Sequence, residues 1–186
     1  MRSILKEKLF RKHYNKLLHS RRDKTHKDSI NTISSITILA AAKNHSVDSI
    51  KKAPAFFRKM DLQCDVYVVK DPSDQIDISA NLNLISSKDC MWYGVPSQEI
   101  LIEWLANKTD LLILANPDRE PLMKYLCAAS NSKLKSTLTY RDQQNDDIDI
   151  DLWIDIANAN NVTLEEQCRL TYMMLTNLGL RPPVIG

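Results

Sequence analysis

The sequence predicts an α/β fold, a doubly wound and mostly parallel sheet with a basic helix in front of it, on three observations. Short apolar runs of strand length, Ile36 to Ala40, Cys64 to Val69 and Leu111 to Ala115, alternate with segments whose apolar residues recur at helical spacing, which is the signature of strand-helix-strand units with right-handed crossovers. Those runs are nearly continuous in apolar character, as strands covered on both faces are. Finally, ten Lys and Arg residues lie within Met1 to Lys27 against Glu7 and Asp23, so the first 27 residues carry +8 and the other 159 carry −6, although the whole chain nets only +2. The amino end is therefore drawn to polyanions while the body is not.

In chain order, Ile4, Phe10, Tyr14, Leu17 and Leu18 share a broad arc of a first helix, with Leu5 and Leu9 off that arc, giving an imperfectly amphipathic basic helix. Ile36 to Ala40 is the first strand, and Val47, Ile50, Ala53 and Phe57 then mark a helix that Pro54 is expected to kink or restart, because proline removes an amide donor and clashes with the preceding turn. Cys64 to Val69 is the second strand and Asn83 to Ser86 a short third. Ser97 caps a helix that carries Ile100, Leu101, Trp104 and Leu105 inward, with Glu99 against the positive end of its dipole.

Leu111 to Ala115 is the clearest buried strand, followed by a turn at Asn116 to Asp118, a helix near Pro121 to Ser130 and a strand over Leu134 to Thr139. Asp142 to Asp147 reads as an acidic loop. Over Asp149 to Ile156, Ile150, Leu152, Ile154 and Ile156 alternate with Asp149, Asp151, Trp153 and Asp155, the period of a strand with one wet face near a sheet edge. Thr163 and Glu166 form a capping box for a last helix with Leu164, Cys168, Leu170, Met174 and Leu175, which Gly179 ends. The sum is a Rossmann-like or flavodoxin-like sheet of about five to six strands.

A chain of 186 residues with 44% hydrophobic composition fits one ordinary domain, divided here into a basic helical extension over residues 1–30 and an α/β domain over 31–186. No run approaches the ~20 apolar residues of a spanning helix. Lys6, Lys8, Arg11 and Lys12 interrupt the apolar residues of the amino end, unlike a secretory signal, so a cytoplasmic location is expected, free or peripheral to a membrane or ribosome. Cys64, Cys90, Cys127 and Cys168 are widely scattered, the usage of buried free thiols rather than of disulfides or a metal site.

Much chemistry is excluded by composition. The three glycines, Gly94, Gly179 and Gly186, cannot supply a dinucleotide fingerprint or a Walker A loop, both of which need glycine for close backbone approach to phosphate. No serine is set in a nucleophile elbow. His13, His19 and His26 lie in the basic extension and only His45 in the body, so neither zinc-hydrolase spacing nor an internal histidine relay is supported. No cofactor, metal or catalytic residue is expected.

Two loops remain, at the carboxyl ends of strands, where open α/β sheets bind ligands. Lys43, Asn44 and His45 follow the first strand, and Asn116, Asp118 and Arg119 follow the Leu111 strand. They are either a site for an anionic small molecule, with Arg119 in a bidentate contact, or ordinary turn and cap residues. The segment Asp89 to Pro96, with Trp92 and Tyr93 beside Gly94, is either a stacking surface or a rigid corner. A corner that plugs Trp92 into the core is expected, since Gly94 permits a positive φ and Pro96 forces Val95 extended.

With strand-helix-strand first, then Asp89-Cys90-Met91-Trp92-Tyr93-Gly94-Val95-Pro96, Thr109-Asp110-Leu111-Leu112-Ile113-Leu114 and Pro121-Leu122-Met123-Lys124-Tyr125, the chain resembles over most of its length a bacterial family of uncharacterised proteins, a domain of unknown function. The corresponding pieces there are an Asp-x-x-Trp-aromatic-Gly-x-Pro corner, a Phe-Asp-Leu-Leu-Ile strand and a Pro-Leu-x-Tyr helix start. Thr109 stands in place of the aromatic residue, and the glycine that follows the strand near Leu134 is missing. The resemblance implies a fold and no activity. About a quarter of the chain, around the Asp110 strand and the next helix, also resembles the acceptor-side Rossmann-like domain of heptose glycosyltransferases, without their donor domain or glycine loop, and fold analogy alone assigns no chemistry.

The function expected is therefore that of a non-enzymatic binding or adaptor protein. Its basic helix, through Arg2, Lys6, Lys8, Arg11, Lys12, Lys16, Arg21 and Arg22, engages an anionic partner, structured RNA such as ribosomal RNA ahead of an anionic membrane face, while the body meets a protein partner or a second copy. Alternatively the helix is solvated and lays its apolar arc on its own domain or on a second copy, or the protein is a small enzyme or binding protein for an anionic metabolite at the strand-end loops. The domain is expected to fold without residues 1–27, because the strand and helix pattern starts only near Ser35.

Overall fold

A computed structural model of the chain describes residues 2–22, 32–71, 82–115, 121–139, 148–155 and 162–180. Helix α1 (Arg2–Arg22) precedes β1 (Ser35–Ala41), α2 (Val47–Arg58), β2 (Gln63–Lys70), β3 (Asn83–Ser86), α3 (Gln98–Ala106), β4 (Leu111–Ala115), α4 (Pro121–Ala129), β5 (Leu134–Thr139), β6 (Leu152–Asp155) and α5 (Leu164–Asn177). The six strands form one parallel, open sheet in the order β3-β2-β1-β4-β5-β6, the order of the Rossmann type of doubly wound sheet. The acidic segment at Asp142 to Asp147 lies outside the described residues.

The pleat sorts the sheet into two cores. Ile36, Ile38, Ala40, Val66, Val68, Leu111 and Ile113 pack with α2 and α5, where Phe57 meets Tyr172 edge-on at 5.9 Å. Leu39, Ala41, Tyr67, Val69, Leu112 and Leu114 pack with α1, α3 and α4. Every residue of β4 is buried, as its unbroken apolar run requires.

Local chemistry sets the helix ends. The Ser46 and Ser97 hydroxyls accept from the amides of Ser49 and Ile100, each satisfying one orphan donor of a first turn. In α3, Trp104 is buried against Tyr67 and donates through Nε1 to the Leu126 carbonyl at 2.8 Å, while Leu105 remains exposed. Helix α2 runs through Pro54 without restarting. The proline is buried on the same face as Ile50, Ala53 and Phe57, so apolar packing of that face offsets the lost amide bond.

Thr163 accepts from the Glu166 amide as expected, but the Glu166 carboxylate turns to Arg169 rather than back to the cap. In α5, Met174 is exposed, and the buried face is Leu164, Gln167, Cys168, Thr171, Tyr172 and Leu175. Gly179, at φ +94°, ends the helix: its own amide and that of Leu180 donate to Thr176 and Leu175 at 3.0 and 3.1 Å, the paired bonds of a Schellman turn. Strand β6 is shorter than expected and lies at the sheet edge, and Trp153 packs against the α1, α3 and α4 core instead of facing solvent.

Helix α1 lies on the body. Tyr14 is only 6% exposed, stacks with Phe10 at 5.7 Å, and Phe10 in turn meets Tyr125 of α4 at 6.2 Å. Leu17 and Leu18 pack against the same core, whereas Ile4 and Leu5 are exposed.

The Asp89 to Pro96 corner is rigid but does not do what the sequence suggests. Cys90 bridges Pro96, the Met91 amide donates to Val95, the Gly94 amide to Met91 and the Ser97 amide to Asp89. Gly94 takes φ +88°, with the place of its missing Cβ 3.9 Å from Phe10 and 4.0 Å from Lys6. The turn is thus spent on seating the backbone against α1 and driving Val95 inward, and Val95 is buried while Trp92 is 58% exposed and Met91 50% exposed. The expectation that Trp92 plugs into the core is corrected accordingly. Trp92→Ala is expected to leave the melting temperature within ~3 °C of the parent, as for a surface substitution, in contrast to the ~3–5 kcal/mol of a buried aromatic; a thermal melt of the variant measures it.

Candidate functional site

The carboxyl ends of β1 and β4 are neighbours, with Ala40 opposite Ala115, and connections leave these two strands towards opposite faces. This is the topological switch point of the sheet. Lys43 and Asn44 lie in a 3-10 turn, Ala42–Asn44, directly after β1, and His45 precedes the Ser46 cap of α2. Lys43 is exposed and Asn44 and His45 are half-buried. Asn116, Asp118 and Arg119 lie outside the described residues. The register sets the carboxyl ends of β1 and β4 side by side, and Ala42 is buried in the turn where dinucleotide-binding sheets use glycine.

The second candidate surface is α1 and the adjoining corner. Because the apolar arc faces α4, the side chains of Lys6, Lys8, Arg11, Lys12 and Lys16 are exposed. Glu7, the one carboxylate in the helix, pairs with Arg11 at 2.7 Å. Arg2, Arg21 and Arg22 belong to the helix, but their side chains lie outside the described residues. Tyr93 stacks on His13 at 5.3 Å, and Trp92 stands on Tyr93 at a right angle, 5.5 Å away. His13, Tyr93 and the exposed indole of Trp92 therefore adjoin one another, with Lys6 beside Gly94 of the same corner.

A family model described as a family of unknown function, DUF6913, matches residues 6–166. The chain belongs to DUF6913. The matched DUF6913 span takes in α1 from Lys6 onward, the whole sheet and the first turn of α5, so helix and sheet are parts of one family unit. Comparison with curated proteins and with solved structures gave no match.

Elsewhere the DUF6913 chain offers structure more than chemistry. No group of three or more His, Cys, Asp or Glu residues among the described residues is arranged to hold a metal ion. None of the four cysteines is in a disulfide; burial pushes Cys64 up to about 12 and Cys168 well above its ordinary value, which withholds the thiolate that a nucleophile at either position would need at neutral pH.

Sequence reasoning missed the part played by Asp110. At the amino ends of β1 and β4, opposite the carboxyl ends where the candidate loops begin, its Oδ2 accepts from the amides and hydroxyls of both Ser34 and Ser35 at 2.7–3.1 Å, and its Oδ1 meets Lys133 at 2.7 Å. The signal was an aspartate placed immediately before an apolar strand and a serine pair placed immediately before its neighbour. Recognising it required knowing that those strands are adjacent.

Proposed function

We propose that this protein is a non-enzymatic binding protein of the cytoplasm whose helix α1 engages an anionic polymer, structured RNA such as ribosomal RNA, while its body is left to meet another protein or a second copy. One observation carries the reading: the apolar arc of α1 is spent on α4 and the sheet, which turns Lys6, Lys8, Arg11, Lys12 and Lys16 outward. A helix inserting into an anionic membrane face would need that arc for the lipid, so the packing of Phe10, Tyr14, Leu17 and Leu18 favours RNA. Phosphates are met by several Lys and Arg side chains at once, which releases counterions and makes the affinity fall steeply with salt.

Reversing Arg11, Lys12, Arg21 and Arg22 to Glu is expected to abolish retention on heparin and on immobilised ribosomal RNA. Unchanged retention, or an affinity flat between low and physiological salt, rejects the reading.

A second reading is favoured by the strand order, which sets Lys43, Asn44 and His45 beside the end of β4 at the switch point. There an anionic metabolite would be held by Lys43 and by the loop carrying Asn116, Asp118 and Arg119, in a small enzyme or binding protein. A metabolite carried through purification and lost on Lys43→Ala would support it. The likeness of the Asp110 strand to heptose glycosyltransferases adds no transfer chemistry to this reading.

A further inference from the structure

We infer that the corner at Trp92 is a base-stacking platform, so that the nucleic acid met by α1 is recognised at a single-stranded stretch with unpaired bases. The inference rests on the polyanion reading of α1 and adds what that reading lacks, a contact to the base.

Three features support it. Trp92 is a large apolar side chain left 58% exposed by a corner whose backbone is fixed by hydrogen bonds at Met91, Gly94 and Ser97 and by a capping box between Ser86 and Asp89, so the indole is presented by a rigid mount. Tyr93 contacts it at 88°, and a right-angle contact covers at most one face of the indole. Finally, the mount is seated on the basic helix itself, with Tyr93 stacked on His13 and Gly94 against Lys6 and Phe10. The indole is thus linked through Tyr93 and Gly94 to the part of α1 that carries Lys6 and His13. This combination of cationic side chains with an aromatic step is how single strands are bound without sequence preference. Paired bases cannot use it, because their faces are already stacked within the duplex.

The test uses the full chain, an oligouridylate, an RNA duplex of equal charge, and phosphatidylserine vesicles. Trp92→Ala, confirmed to melt like the parent, is expected to weaken oligouridylate binding about tenfold while duplex binding and heparin retention stay unchanged. Trp92→Phe is expected to restore most of the loss, and oligouridylate is expected to quench the tryptophan fluorescence of the parent more than that of the alanine variant, which keeps Trp104 and Trp153. If Trp92→Ala binds oligouridylate like the parent, this inference fails and the charge reading stands. If the parent binds neither RNA, both fail. If vesicles shift the emission and oligouridylate does not, the platform is a membrane contact and the inference is overturned.

Discussion

Deleting residues 1–22 is expected to lower the melting temperature of the remaining chain by roughly 10 °C or more, at ~2–4 °C per kcal/mol for a domain of this size. The deletion removes Tyr14, Phe10, Leu17 and Leu18 from the core they share with Leu122, Tyr125 and Leu126 of α4. Full burial of such a side chain contributes about 1.5–3 kcal/mol, and with three of the four only partly buried their sum is about 5 kcal/mol. It also bares the outer face of α4, so the truncated chain should bind a hydrophobic dye that the full chain does not. The strand and helix pattern of the sequence implies a domain that still folds without residues 1–27, and calorimetry of the two chains measures how much of its stability depends on α1. Equal melting temperatures would make α1 an appendage.

The second large effect is expected at Asp110. Replacing it by alanine removes the carboxylate that accepts from the amides and hydroxyls of exposed Ser34 and half-buried Ser35. Water can satisfy part of what is lost there, so a loss of about 2 kcal/mol is expected, the size of one net hydrogen bond to a charged acceptor, read as a shift of the denaturation midpoint. Burial pushes the Asp110 carboxyl up, but Lys133 and the Ser34 and Ser35 donors outweigh it and hold the group well below the usual carboxylate range. A carboxyl depressed in the folded state contributes its stability above its unfolded value of about 4 and loses it progressively as pH falls below. The parent should therefore lose stability below about pH 4 more steeply than Asp110→Asn, which has no charge to lose there. Parallel acid profiles would remove Asp110 from the account.

Most of the fold was legible because strands buried on both faces need continuous apolar runs. Ile36 to Ala40 and Leu111 to Ala115 announce themselves, and even the four-residue β3 was found over its full length. Edges were less legible: β6 is half the expected length because a strand paired on one side is held only where Ser136 to Thr139 face it. The corner was misread for a different reason. Gly94 and Pro96 do specify a turn, but which side chain the turn inserts depends on what lies beneath it, and that is Phe10 and Lys6 of a helix more than 80 residues away in sequence. The switch point was legible as two adjacent strand ends, whereas the positions of Asn116, Asp118 and Arg119 fall outside the described residues.

The pairing of β1 with β4 also governs the order in which the chain can fold. Ser35 and Asp110 are 75 residues apart, and closing a loop of that length costs entropy before any contact returns it. Until β4 is synthesised, β1 and β2 can pair but the other edge of β1 stays open, and α1 has no α4 to lie on. An open edge of unpaired amides accepts a strand from any chain, including a second nascent copy of this one. The interval in which that edge stands open therefore runs through the synthesis of β2 to β4, and the contacts of Ser34 and Ser35 with Asp110 are the clasp that closes it.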